Sequence, residues 1–220
     1  MSKAQGKPAP LRVGVVLFPG FQSMDVFGPM DCFNILSQSH NVTLALLSST
    51  LEPVTTKPPT CANAIGQSVV PTHTFSEAPS LDLLLVPGGP GTRGSSLAIA
   101  DAISYIRDVY PQLKYLVTVC TGSGLAARAG VLDGKRATTN KMDWADITAL
   151  TANVDWVHRA RWVVDGNVWS SSGVSAGIDL ILAWIEEVYG SEVAREISNT
   201  IEYTRHEDSS HDPFAELSGI

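Results

Sequence analysis

Cys120 closes the apolar run Tyr115-Leu116-Val117-Thr118-Val119 and is followed at once by Thr121-Gly122-Ser123-Gly124-Leu125-Ala126-Ala127. A buried strand that turns sharply into a small-residue helix presents one thiol at a helix N-terminus. Unpaired backbone N–H groups and the positive end of the helix dipole favour a thiolate there, and the thiolate is the nucleophilic form. Of the three cysteines, Cys32, Cys61 and Cys120, Cys120 is therefore expected to have the lowest thiol pKa. The competing reading of a lone cysteine is a small buried filler. Cys32, on the apolar face of the first expected helix, fits that reading better, and Cys61 falls in a Pro/Thr-rich loop whose role the sequence leaves open.

Two further loops carry groups that could serve a thiol. Asp25 follows Pro19-Gly20 and precedes Gly28-Pro29, so it is either a helix cap, a common place for Asp, or an acid near the cysteine. A carboxyl beside a thiolate should have a raised pKa, because like charge and burial both disfavour its ionised form. Protonated, it could donate to the sulfur and later hand the proton to a substrate. Gly88 and Gly89 read as turn glycines. Beside a nucleophilic cysteine they would instead offer a backbone N–H for developing negative charge, a role expected of Gly89. Thr121 could cap the elbow helix, and its own N–H could join Gly89. His40, His73, His158, His206 and His211 have no metal-ligand spacing, and surface or structural roles are expected for them.

These residues need elements to hold them. Residues 11–18, 42–47, 81–86 and 115–119 are β-branched and aliphatic runs, as in strands buried on both faces of a parallel sheet. Gly28-Pro29 is expected to open the first helix, and residues 97–109 have helical spacing at Ile99, Ile103, Ile106 and Val109. Residues 50–74, rich in Pro and Thr, read as loop with short extended pieces around Ser68-Val69-Val70. Arg136-Ala137-Thr138-Thr139 reads as a short extended segment, and Trp144, at helical spacing with Ile147, as core. Asp165-Gly166 between alternating runs predicts a β-hairpin across Trp162 to Trp169. Ser175 can cap a helix to about Tyr189, and Ser191 a second one to about Thr200. Alternating strands and helices place ligands outside the carboxyl ends of the strands. The loops bearing Asp25, Gly88-Gly89 and Cys120 all leave that edge.

Composition narrows the function classes. With 220 residues, 44% hydrophobic and 17% charged, the chain suits one globular core. The net charge of −7 without a Lys/Arg cluster argues against nucleic acid or an anionic membrane as partner, and for a small-molecule substrate. No apolar run approaches membrane-spanning length, and residues 1–10 lack the apolar core of a secretory signal. A soluble cytoplasmic protein with free thiols is expected.

Taken in order, several strings resemble the DJ-1/PfpI superfamily over about residues 11–203. They are Phe18-Pro19-Gly20 with Met24-Asp25-Val26-Phe27-Gly28-Pro29, Val86-Pro87-Gly88-Gly89, Val119-Cys120-Thr121-Gly122, Arg136-Ala137-Thr138-Thr139 and Val174-Ser175-Ala176-Gly177-Ile178-Asp179. The resemblance implies an α/β flavodoxin-like three-layer sandwich, similar to class I glutamine amidotransferases, with a mostly parallel sheet and a C-terminal β-hairpin. It also implies a strained nucleophile elbow and a homodimer. Residues 1–10 would then be a flexible lead, 11–203 the domain and 204–220 a tail.

Asp-x-x-Gly-Pro together with Cys-Thr-Gly is similar to the isonitrile hydratase branch. Protease-like and glyoxalase-like members carry a histidine after or near the cysteine and a glutamate in the first loop, where this chain has Thr121 and Asp25. Asn140 stands where a histidine commonly follows Ala-Thr-Thr. Related regulators carry a helix-turn-helix domain after this fold, and with Ile220 as the last residue of the sequence none is expected here. The implied activity is addition of water to an isocyanide through a Cys120 thioimidate, with Asp25 as acid and base. Gly89, Thr121, Gly88 and Gly28 are the implied oxyanion and substrate contacts, with no metal or organic cofactor. Cofactor-free glyoxalase chemistry and a cysteine oxidation sensor are the alternatives.

Overall fold

The computed structural model describes residues 11–58 and 60–218; the expected flexible lead at residues 1–10 lies outside them. In chain order the strands are β1 (Leu11–Val16), β2 (Val42–Ser48), β3 (Val54–Thr55), β4 (Ser68–Val69), β5 (His73–Thr74), β6 (Leu83–Val86), β7 (Tyr115–Val119), β8 (Arg136–Ala137), β9 (Asp155–Trp156), β10 (Trp162–Asp165) and β11 (Val168–Ser171). The helices are α1 (Ser23–Leu36), α2 (Leu97–Val109), α3 (Gly122–Arg128), α4 (Trp144–Thr148), α5 (Ala176–Tyr189) and α6 (Ser191–Thr200).

Seven strands form one sheet in the order β10-β11-β7-β6-β1-β2-β5. Every pairing in it is parallel except β10 with β11. β6 and β7 are buried almost throughout, as a parallel strand covered on both faces must be. Helices α1, α5 and α6 pack together in one layer, and α2, α3 and α4 in another, giving an α/β three-layer arrangement. Asp82, buried at the start of β6, ties the strands' opposite ends together: Arg12 meets it at 2.9 Å and Lys114 at 3.0 Å. With Val13 paired to Leu83 and Leu83 to Tyr115, β1, β6 and β7 then finish along one edge.

The hairpin forms as its Asp-Gly pair requires, with Gly166 at φ +59°. α2 and α5 occupy their expected spans, α2 capped by Ser96, which accepts from the Ile99 N–H, and α5 followed by Gly190 at φ +98°. The two expected serine caps do not form: Ser175 makes no side-chain cap bond, and Ser191 is the first residue of α6, with Gly190 at its N-cap. The first helix also departs from its expected start. It begins at Ser23, and Pro29 lies inside it rather than at its first turn. Tertiary packing accounts for this, since Val26, Met30, Phe33 and Leu36 all bury one face in the core, and a single proline removes only one backbone donor. As a result Asp25 stands in the helix's first turn rather than in a free loop. Within residues 50–74, β3 and β4 pair as a small ribbon, and the Gly20 N–H donates to the Thr55 carbonyl at 2.8 Å.

The residues after Tyr203 run back over the carboxyl edge of the sheet. Arg161 N–H donates to the Ser209 carbonyl at 2.8 Å, and Asp212 and Ala215 are buried.

Candidate active site

Cys120 leaves β7 in a left-handed conformation, φ +57°, a region that costs a non-glycine residue on the order of 1–3 kcal/mol. The surroundings hold it there. Its N–H donates to the Ser172 carbonyl at 3.0 Å, while its carbonyl accepts from Ser123 Oγ at 3.0 Å and Thr139 Oγ1 at 3.1 Å. Gly122 comes so close to β6 that a Cβ would sit 2.3 Å from the Val86 carbonyl oxygen. The elbow thus turns the thiol out of the strand toward the rim, where Cys120 keeps 5% of its surface exposed.

Asp25 reaches the same point from α1. Gly88 N–H donates to Asp25 Oδ2 at 2.8 Å, and a Cβ on Gly88 would lie 2.5 Å from the Thr121 nitrogen and 3.0 Å from Asp25 Oδ2. Only glycine lets these three segments meet. The other oxygen, Asp25 Oδ1, is buried without a hydrogen-bond partner, although buried polar atoms are nearly always paired. Burial pushes the carboxyl up to about 7, against the opposing pulls of the Gly88 N–H and the Cys120 thiol.

The thiol follows the same logic, which overturns the expectation of a low pKa. Burial and the facing Asp25 charge push Cys120 up to about 12, outweighing the Thr121 N–H, the Asn140 side chain and the Val174 N–H that favour the thiolate. Cys32, buried on α1, is likewise pushed up to about 12, and Cys61 is exposed. The elbow therefore does not hold a free thiolate at rest. Asp25 and Cys120 form a pair that shares one proton across the interval between their two ionisations.

The glycines separate by role. Gly89 N–H is taken up by Thr121 Oγ1 at 3.0 Å, so it is not the free donor expected for an oxyanion; its φ of +128° and its tight approach to Gln22 and Gly20 give it a backbone role. Thr121 makes no side-chain cap bond, and its hydroxyl also accepts from Thr92 Oγ1 at 3.0 Å. The Thr121 N–H remains directed at the sulfur. Gly28, expected at the substrate, instead meets α5, where a Cβ would fall 2.8 Å from Ile178.

Asn140 is the group the sequence did not assign. Its Oδ1 accepts from the Met142 N–H at 2.8 Å and the Asp143 N–H at 3.1 Å, an Asx-type turn that fixes which way the amide faces. Nδ2 is thereby aimed over Gly173, whose Cβ would lie 2.9 Å from it, and acts on Cys120 as a donor. The Asn followed by Asp three residues later was the available signal. Asn140→Ala should raise the thiol pKa further and slow Cys120 alkylation at pH 8 by about ten-fold, because a hydrogen bond to a charged group is worth roughly 1.5–3 kcal/mol. Peptide mass spectrometry reads this directly, and an unchanged rate would remove Asn140 from the site.

The three donors on the sulfur, with the buried Asp25 carboxyl facing it, can stabilise a thiolate and move a proton to something bound against it. Among the described residues no group of three or more His, Cys, Asp or Glu is placed to hold a metal, and no helix is long and apolar enough to cross a membrane.

Comparison with known proteins places the chain among relatives of similar sequence and fold. The chain is 35% identical over 193 residues to the isonitrile hydratase of Pseudomonas putida, covering 88% of this chain and 78% of that one. It is 34% identical over 124 residues to a deglycase of Pyrococcus horikoshii, covering 56% and 70% of the two chains. The crystal structure of a ThiJ/PfpI family protein from Pseudomonas syringae superposes with a TM-score of 0.73 at 26% identity, over 90% of this chain and 77% of that one. The DJ-1/PfpI family model matches residues 11–187, which include every residue placed around the thiol, and the chain belongs to the DJ-1/PfpI family.

Proposed function

We propose that the protein hydrates isocyanides to N-substituted formamides. The observation that carries the reading is the buried Asp25 carboxyl set against the Cys120 thiol, with the likeness to isonitrile hydratase as support. An isocyanide's terminal carbon must receive both a nucleophile and a proton. A thiol and a carboxyl that share one proton supply both from one side.

In the singly protonated pair, Asp25 takes the thiol proton as the sulfur attacks, and the S–C bond forms. Asp25 then delivers that proton to the same carbon, leaving a thioimidate, Cys120–S–CH=N–R. Water adds next, with Asp25 as base: oxygen bonds to carbon and a proton goes to nitrogen. Collapse of the tetrahedral adduct breaks the C–S bond, returns the hydroxyl proton to sulfur and releases R–NH–CHO. The sum is one isocyanide plus one water, with no redox change. The Thr121 N–H and the Asn140 amide lower the energy of the thiolate as it forms.

Incubation with a panel of simple isocyanides and, separately, with methylglyoxal tests this. Formamide carrying one oxygen-18 from labelled water, and no lactate from methylglyoxal, is the expected result. Lactate without formamide would replace this reading with glyoxalase chemistry, and no product from either would favour an oxidation sensor.

A further inference from the structure

A cleft of about 190 Å³ opens beside the elbow. Asn140 and Val174 line it, the two residues that also bond the Cys120 sulfur from outside the elbow helix. Met142 and Phe214, 74% and 49% exposed, line it as well. Phe214 belongs to the segment that folds back after Tyr203. Nothing about Phe214 in sequence pointed to the thiol, yet it lines the same cleft as two residues that bond the sulfur.

One carboxylate holds that segment in place. Asp212 is buried; its Oδ1 accepts the Phe214 N–H at 3.1 Å and faces Arg161 at 3.8 Å, while its Oδ2 faces Lys141 Nζ at 3.5 Å and accepts from Ser172 Oγ. Lys141 is itself buried, donating to Thr138 Oγ1 and the Thr139 and Ala160 carbonyls. Ser172 in turn accepts the Cys120 N–H through its carbonyl. A continuous chain of bonds therefore runs from the elbow through Ser172 and Asp212 to the backbone of Phe214. A buried carboxylate between two buried cations is costly to disturb, because loss of either side leaves charge uncompensated.

We propose that residues 205–216 form a strap, pinned by Asp212, whose Phe214 is the specificity-determining wall for the substituent carried by the electrophile that reaches Cys120. The strap rests on the isocyanide reading only for the identity of that electrophile. A cavity of about 150 Å³ suffices for a benzene-sized guest, so the cleft matches an isocyanide with an apolar substituent of single-ring size and excludes a fused bicyclic one. Asp212 is a positioning residue: it acts through Phe214 and Ser172 and touches no substrate.

The test uses two readouts on the full chain. For turnover, cyclohexyl and 2-naphthyl isocyanide are compared in wild type and in Phe214→Ala, a half-exposed position whose truncation leaves the fold intact. The kcat/KM ratio should shift by at least about ten-fold toward the naphthyl compound, mostly through KM. For reactivity without turnover, N-methylmaleimide and N-(2-naphthyl)maleimide are compared at Cys120 by peptide mass spectrometry, with exposed Cys61 as internal control. Wild type should label Cys120 with the small reagent far faster than the large one, Phe214→Ala should erase most of that difference, and Cys61 should show none of it. Asp212→Ala should behave like Phe214→Ala, with Asp212→Asn restoring part of the selectivity by keeping an acceptor for the Phe214 N–H.

Absence of isocyanide turnover together with size-selective labelling relieved by Phe214→Ala would overturn the proposed reaction and uphold the strap. Labelling and turnover with equal changes for small and large reagents in Phe214→Ala would overturn the strap.

Discussion

Cys120→Ser should leave the chain folded and reduce formamide production to the uncatalysed background, a loss on the order of a thousand-fold or more. The substitution is nearly isosteric and keeps every backbone bond that holds the left-handed elbow, so the Ser172, Ser123 and Thr139 contacts survive. What changes is the nucleophile. A hydroxyl ionises far less readily than a thiol, and the donors arrayed on the sulfur, from Thr121, Asn140 and Val174, are too few to compensate. Intact-mass spectrometry during turnover should find a covalent adduct on wild type and none on Cys120→Ser. Cys32→Ser and Cys61→Ser should both retain adduct formation and activity, since one is a buried helix residue and the other an exposed loop residue. Formamide from Cys120→Ser within about ten-fold of wild type would remove the cysteine from the mechanism.

Much of this site was legible because it is built where strands end. Continuous apolar runs announce buried parallel strands, and the residue types just past β1, β6 and β7 are the ones the rim needs. α2 and the hairpin were legible for local reasons too, apolar residues at helical spacing and a turn pair that few other structures accommodate. The start of α1 was not. Gly28-Pro29 is a strong local punctuation mark, and it lost to the burial of Val26, Met30 and Phe33, which no local rule counts.

The errors at the site have the same origin. A thiol at a helix N-terminus suggests a low pKa, but the helix is short and the larger effects on Cys120, burial and the charge of Asp25, arise from segments far away in sequence. Gly89 offered an N–H on paper, and the fold gave it to the Thr121 hydroxyl. Asn140 was read as a missing histidine, whereas the Asx-type turn makes its amide a donor to the sulfur. Asp212 and Phe214 gave no sign at all, since a Ser/His/Asp-rich stretch near a terminus reads as solvated until Lys141 and Arg161 are seen waiting beneath it.

Asp25→Asn should lose about a hundred- to ten-thousand-fold of turnover, the range that general acid–base groups contribute, while melting at a higher temperature than wild type above pH 7. The two effects have one cause. In the folded protein burial raises the Asp25 carboxyl from 3.8 to about 7, so the native state holds this proton more tightly than the unfolded chain. Stability that is complete below about pH 4 is therefore lost as pH rises to about 7, and it stays lost above. An amide keeps the acceptor for the Gly88 N–H and never ionises, so the fall across that window should vanish in Asp25→Asn. At pH 8 the variant should melt several degrees higher, each kcal/mol moving Tm by roughly 2–4 °C in a chain of this size. Removal of the facing charge also lowers the Cys120 pKa, and alkylation of Cys120 at pH 8 should be faster in the inactive variant than in wild type. For wild type, kcat/KM should rise through about pH 7, where the pair passes from two protons to one and the carboxylate becomes able to take the thiol proton. A helix cap would behave in the opposite way on every count: Asp25→Asn would melt lower or unchanged, label Cys120 at the wild-type rate and keep turnover within a few-fold.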